Sequence, residues 1–297
     1  RLAEILEEAG LPPGVLNVVT GSGETVGREI ARNPAIRKVS FTGAVETGRE
    51  VAMDAAPAMK HLTLELGGSD PMIVCDDADI PAAVEGVIRG RFYNCGQVCT
   101  AVKRLYIFDS IADEFIRRLK TRVEKIVVGN GIDRGVDMGP MNNREGLERI
   151  AGLVDAVRER GEGEIITGGR PPGGEALRDG NFYLPTLVTG LPHDSPLFTE
   201  EVFGPVLPIA AVHDLDEAIE RANSSRYGLG ASVWTRNPDV IARAAEDLEA
   251  GIVWVNQHLR IPPEVPFGGT KASGIGRENG SRALEDYTEG KAVLVRF

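Results

Sequence analysis

The apolar positions of this chain alternate between two spacings almost from end to end. Leu2–Ala9 and Glu24–Ala31 place apolar residues three and four apart, as on one face of a helix, whereas Val15–Val19 and Ile36–Phe41 are short β-branched runs. The exchange continues through a helix over Val45–Ala56, strands over His61–Leu66 and Met72–Cys75, a helix over Ile80–Tyr93, a strand over Leu105–Phe108 and a helix over Ile111–Ile126. A helix over about Arg144–Glu159 follows. Then come strand Val206–Val212, helix Leu215–Ala222, strand Ala231–Trp234, helix Pro238–Leu248 and strand Ile252–Val255. Turn residues such as Gly10, Pro12, Gly14, Asn33 and Pro34 separate the early pieces. Such alternation predicts an α/β fold, a parallel sheet with helices on its faces.

Two stretches depart from the alternation. Gly161–Pro185 is rich in Gly and Pro and reads as a surface excursion, and the tail Ala292–Phe297 is a short segment of alternating β character. A break at about Leu66–Ser69 divides the chain into two α/β lobes, and such junctions are where α/β enzymes commonly place their clefts.

Composition narrows the function classes. The 297 residues carry a net charge of −11 and no basic stripe, which argues against nucleic acid as a partner. No apolar run approaches the ~18 residues of a membrane helix. The three cysteines, Cys75, Cys95 and Cys99, cannot all pair, and with four scattered histidines they fit no zinc spacing, so no metal is expected. A reducing, cytoplasmic setting is the plain reading. The chain opens at Arg1 inside a helical pattern without a visible secretory signal, which suggests a fragment or a processed product.

Two segments carry the candidate chemistry. Phe92-Tyr-Asn-Cys-Gly-Gln-Val-Cys-Thr100 sets Cys99 just after a Gly-Gln pair, at the end of a predicted helix. Upstream, Leu64-Glu-Leu-Gly-Gly68 sets Glu65 against two glycines at the end of an apolar strand. A thiol and a carboxylate beside glycines that expose backbone amides suit a covalent reaction whose intermediate is later cleaved by water. A thiol is a nucleophile only as thiolate, so such a site must lower its pKa. A carboxylate serves as base when burial raises its own pKa toward neutrality. Cys95 reads as structural, or as a thiol that traps an oxidised Cys99.

These segments resemble the two active-site signatures of the aldehyde dehydrogenase superfamily, with Cys99 and Glu65 in the matching positions. Ser40-Phe-Thr-Gly-Ala-Val-Glu-Thr-Gly48 resembles that family's nucleotide-binding loop, and Glu200-Glu-Val-Phe-Gly-Pro205 and Pro266-Phe-Gly-Gly-Thr-Lys-Ala-Ser-Gly-Ile-Gly-Arg-Glu278 resemble two later motifs. The resemblance implies that Cys99 attacks an aldehyde to give a thiohemiacetal and then a thioester, and that Glu65 activates the hydrolytic water. It implies NAD or NADP as cofactor, held around Gly43, Ala44, Gly48, Leu66 and Gly67, with Glu201 on the nicotinamide-side ribose and Phe203 beside the ring. A second glycine cluster, Gly21-Ser-Gly-Glu-Thr-Val-Gly27, is expected near the adenine end. Two positions depart from the family pattern: Ser69 stands where lysine is usual, and Ala44 where serine is usual.

The fold implied is aldehyde dehydrogenase-like. Residues 1–66 form the second half of a cofactor domain, 67–287 a catalytic domain and 288–297 a C-terminal oligomerisation strand, in a homodimer or homotetramer. The part of the family fold upstream of Arg1 normally supplies the first half of the cofactor domain and an oxyanion-binding asparagine. The implied substrate is a small-molecule aldehyde, guessed as a hydroxy-aldehyde or semialdehyde. Arg260, in the loop Asn256–Glu264, is a candidate for holding a substrate carboxylate, against the competing reading of an exposed arginine without a specific partner. Two other classes stay open: a cysteine esterase that needs no nicotinamide, and an inactive fragment that needs its missing part.

Overall fold

A computed structural model describes residues 1–297. Its architecture is α/β and rests on two principal sheets. In the smaller one Lys38–Thr42 and His61–Glu65 pair in parallel, and the short Gly274–Ile275 adds antiparallel to the latter. The larger has seven strands, ordered Ile252–Val255, Gly230–Trp234, Asp70–Val74, Val102–Phe108, Val206–Val212, Thr186–Thr189 and Glu164–Thr167. All its pairings are parallel except the last.

The large sheet is covered on both faces, which is why its central strands read as continuous apolar runs. Side chains alternate between the faces along each strand. Met72, Val74, Leu105 and Ile107 pack with Val87, Phe115 and Val154 from the helices Ile80–Phe92, Asp109–Val123 and Arg144–Arg160. Ile73, Tyr106 and Val233 face the other way, toward Ala218, Ile219 and Ala244 of Leu215–Asn223 and Pro238–Asp247. Helix starts follow local chemistry: the Asp79, Asn143 and Asp214 side chains accept from the amides of Ala82, Gly146 and Glu217 at 3.1, 2.8 and 3.0 Å.

Two sequence expectations fail. Val15–Val19 is not a strand: its valines are exposed and no neighbouring segment offers a ladder, without which a β-branched run has nothing to pair with. Within this single chain the tail Ala292–Phe297 is irregular and exposed, without an intramolecular partner strand among the described residues. The Gly/Pro-rich stretch 161–185 is more than an excursion, because Glu164–Thr167 forms the antiparallel edge of the large sheet. Thr186–Thr189, which pairs beside it, was not anticipated. Among the described residues no helix is long and apolar enough to cross a membrane.

Candidate active site

The chain leaves the small sheet at Glu65 and enters the large one at Asp70, so Leu66–Ser69 spans the junction. The Glu65 side chain is 5% exposed, and both carboxylate oxygens lack a hydrogen-bond partner. Burial pushes its pKa up to about 8; the neighbouring Glu278 adds to this, and Arg277 opposes it. The wall beside it is tight: a β-carbon on Gly268 would lie 2.7 Å from Oε1. The Glu65 carbonyl accepts from the Gly43 amide at 3.1 Å, which ties the carboxylate's backbone to the glycine loop before helix Val45–Ala55.

The helix before Cys99 ends at Phe92, within one residue of the end its apolar pattern predicts. Asn94, Cys95 and Gly96 then adopt left-handed φ of 50, 57 and 72° in succession. Only asparagine and glycine enter that region readily, so Cys95 carries a local cost of roughly 1 kcal/mol. The reversal is held by Asn94 Nδ2 donating to the Gln97 carbonyl (3.0 Å) and Gln97 Nε2 to that of Asn94 (3.2 Å). Cys95 is drawn into the core, whereas Cys99 emerges half-buried. Burial raises the Cys99 thiol pKa. Lys103 is the main opposing influence, with a backbone hydrogen bond from Thr100, while Asp70 and Glu201 reinforce the rise. The resting thiol is therefore not lowered as the sequence reading required.

These pieces converge on Gly67–Gly68. The Gly68 amide donates to Glu201 Oε1 at 3.1 Å, and a β-carbon on Gly68 would lie 2.6 Å from the Cys99 carbonyl oxygen. On Gly67 it would displace the Glu201 carboxylate, whereas at Gly68 it would meet fixed backbone, so Gly68 must be glycine. Ser273 Oγ donates to the Gly67 carbonyl at 2.7 Å, and Leu66 N to the Ser273 carbonyl at 3.0 Å, bringing the segment Pro266–Glu278 against the same junction. Two clefts open elsewhere on the chain, neither lined by Glu65–Ser69 or Cys99. One of about 620 Å³ is lined by Asn94, Gln97, Arg149 and Phe203. The other, of about 490 Å³, lies between the two glycine clusters, with Gly23, Gly27, Ser40, Phe41, Thr47 and Val51 on its walls.

The sequence matches the aldehyde dehydrogenase family over residues 1–293. The chain belongs to the aldehyde dehydrogenase family. It is 44% identical to a phenylacetaldehyde dehydrogenase of Pseudomonas fluorescens, over 100% of this chain and 59% of that protein. It is 41% identical to a betaine aldehyde dehydrogenase of Rhizobium etli, over 99% of this chain and 60% of that one. A betaine aldehyde dehydrogenase of Staphylococcus aureus solved with NAD+ superposes with a TM-score of 0.92 at 38% identity, covering 96% of this chain and 56% of its own. An NADP-dependent enzyme of E. coli gives 0.93 at 40%, covering 97% and 59%. The chain thus spans about three fifths of the length of these relatives.

Of the residues singled out as aldehyde dehydrogenase site residues, Cys99, Glu65, Leu66, Gly67, Glu201 and Phe203 gather at the junction. Gly48 packs against the Leu66 side chain, and Ala44 begins the helix beside it without a side-chain cap. Arg260 stands apart: its side chain is exposed, and its carbonyl accepts from Trp254 Nε1 at 2.7 Å. Among the described residues no group of three or more His, Cys, Asp or Glu is arranged to hold a metal ion. Sequence reasoning missed the buried titratable groups around the site: Lys103, Asp70, Arg91 and His258. A Lys-Arg pair inside the apolar run Val102–Phe108 was the signal available for the first of them.

Proposed function

We propose that this chain is the catalytic portion of an NAD(P)-dependent aldehyde dehydrogenase, with Cys99 as nucleophile and Glu65 as base. The observation that carries the reading is the meeting of the Cys99 backbone, Gly67–Gly68 and Glu201 three residues from a buried, unpartnered Glu65. The surroundings also fit a dinucleotide. The cleft between the glycine clusters offers apolar walls (Ile30, Val39, Phe41 and Val51) for a flat base. The cleft at Phe203 is lined by Asn94, Gln97, Asn143 and Arg149, polar groups that suit ribose hydroxyls. When bound, NAD(P)+ supplies the acceptor for hydride leaving the substrate carbon.

The Cys99 thiolate attacks the aldehyde carbon: a C–S bond forms and the carbonyl pair moves onto oxygen, giving a thiohemiacetal. After oxidation the acyl group remains on sulfur as a thioester. Ionised Glu65 takes a proton from water, the water oxygen bonds to the acyl carbon, and the C–S bond breaks to return the thiolate. With the Glu65 pKa near 8, the fraction ready to act as base grows as pH rises toward that value. Residues 1–66, 67–287 and 288–297 serve as cofactor half, catalytic domain and oligomerisation strand; Gly274–Ile275 laces the second unit to the first. The tail pairs with another copy, and a monomer by light scattering at micromolar concentration would contradict this.

Phenylacetaldehyde, betaine aldehyde and small semialdehydes, each with NAD+ and NADP+, form the first substrate screen, read as reduced nicotinamide. Oxidation that needs cofactor and is lost in Cys99→Ala supports the proposal. Hydrolysis of an activated ester without nicotinamide would support the esterase reading instead. A folded chain inert in both assays would leave the inactive-fragment reading.

A further inference from the structure

Lys103 is 0% exposed, on a strand that fills the middle of the large sheet. Its ammonium donates to the carbonyls of Val98 at 2.8 Å and Cys99 at 2.7 Å. The same nitrogen lies 3.8 Å from Glu201 Oε1, the oxygen that accepts from the Gly68 amide, and 6.0 Å from the Phe203 ring centre. Arg91, also fully buried, approaches the Glu201 segment from the other end, donating to the Val202 carbonyl at 3.0 Å and to that of Gly204. A buried ammonium is costly unless it does something for its surroundings. Here its three polar neighbours belong to the nucleophile's turn and to Glu201.

We propose that Lys103 is a positioning residue for Cys99: its buried ammonium ties the Val98–Cys99 turn to Glu201 and supplies the positive charge beside which Cys99 reacts as thiolate. This rests on the reading of Cys99 as nucleophile. The charged groups facing Cys99 are Lys103, Asp70 and Glu201; those facing Lys103 are Glu201, Asp70, Arg91 and Cys99 itself. Glu201, and Asp70 in the fraction left ionised by a pKa that burial raises to about 7, therefore oppose the thiolate, and Lys103 offsets them. Burial lowers the Lys103 pKa to about 8, with Glu201 and Asp70 holding it up, so it is mainly protonated at neutral pH. Loss of its charge removes the main influence favouring the thiolate.

The test is the rate of Cys99 alkylation by iodoacetamide as a function of pH, resolved from Cys75 and Cys95 by peptide mass spectrometry. It needs no dehydrogenase turnover, so it stands or falls separately from the proposed function, which fails if Cys99→Ala keeps aldehyde oxidation. Lys103→Met is expected to move the alkylation profile up by about one pH unit, a rate loss of roughly tenfold at neutral pH. Lys103→Arg restores most of the rate. A folded Lys103→Met protein with the wild-type profile overturns the proposal, since a merely structural lysine would change melting temperature and not thiol titration. Should Lys103→Met not fold, the wild-type protein gives the answer. The ratio of iodoacetate to iodoacetamide rates at Cys99 should exceed that of free cysteine, despite the chain's net charge of −11. A ratio below that of free cysteine overturns the proposal.

Discussion

Replacing Glu65 by glutamine tests the electrostatics of the junction through stability rather than activity. The side chain is buried with both oxygens unpartnered, and its pKa rises from the ordinary 4.5 to about 8. Below pH 4.5 folded and unfolded chains both hold the proton, so the group adds no slope. As pH rises from there toward 8 the unfolded chain releases it while the folded chain keeps it, so stability falls, and above about 8 the loss is complete. At about 1.4 kcal/mol per pH unit that interval amounts to about 5 kcal/mol as an upper bound, and relaxation of the surrounding protein reduces it to about 2 kcal/mol. Glutamine has almost the same shape and nothing to ionise. In urea unfolding, the Glu65→Gln protein should therefore gain on the wild type by about 2 kcal/mol between about pH 5 and pH 9. With a slope near 3 kcal/mol per molar, this separates the midpoints by roughly 0.7 M. Parallel stability curves across that range would refute the reasoning, because a group ionised in the folded state at neutral pH leaves no such slope.

Two further outcomes follow from the same neighbourhood. Gly68→Ala drives a methyl to 2.6 Å from the Cys99 carbonyl oxygen and 3.0 Å from Leu229 Cβ, and overpacking of this kind costs about 1–3 kcal/mol. A lower melting temperature and slower Cys99 alkylation are expected, and wild-type values for both would show that the junction yields freely. His258 is buried between Ser232 Oγ (3.0 Å) and the Thr100 carbonyl (2.7 Å), and burial lowers its pKa to about 4. The unfolded chain gains a proton that the folded one refuses as pH falls from 6.5 toward 4, so stability drops through that window. Its imidazole signal in NMR should stay unshifted between pH 8 and pH 5, and a midpoint near 6.5 would place it in solvent.

The parts of this molecule that were legible in its sequence are those whose information is local. Apolar period and turn residues located the five long helices on the large sheet's two faces, since each amphipathic stripe is written within a few turns of chain, whereas the single-turn helix Pro196–Thr199 was missed. Val15–Val19 carries the same local signal and forms no strand, because strand formation is settled by a neighbour that the local pattern does not encode. Glu164–Thr167 is the converse: four residues within a Gly/Pro-rich stretch become a strand because the edge of the sheet lies beside them. Cys99 and Glu65 were visible for a different reason, as a thiol and a carboxylate near glycines in segments that resemble the family's active-site signatures, whereas Glu201 was visible only through the resemblance of Glu200–Pro205.

Lys103 and Arg104 show where such reading ends. Adjacent residues in a strand point to opposite faces, so one of the two would reach solvent if the strand were half-exposed. Val102–Phe108 is covered on both sides, and both cations are buried. Arg104 finds the carbonyls of Ser69, Arg221 and Ala222 at 2.8, 3.1 and 3.0 Å, which secures the start of strand Asp70–Val74. Lys103 finds those of Val98 and Cys99 on the other side. The two neighbours thus grip the two segments that meet at Gly68, one holding the glutamate's arm and the other the cysteine's. The two ends of the proposed covalent cycle are fixed from a single strand, and a buried Lys-Arg dipeptide is the support on which the site is built.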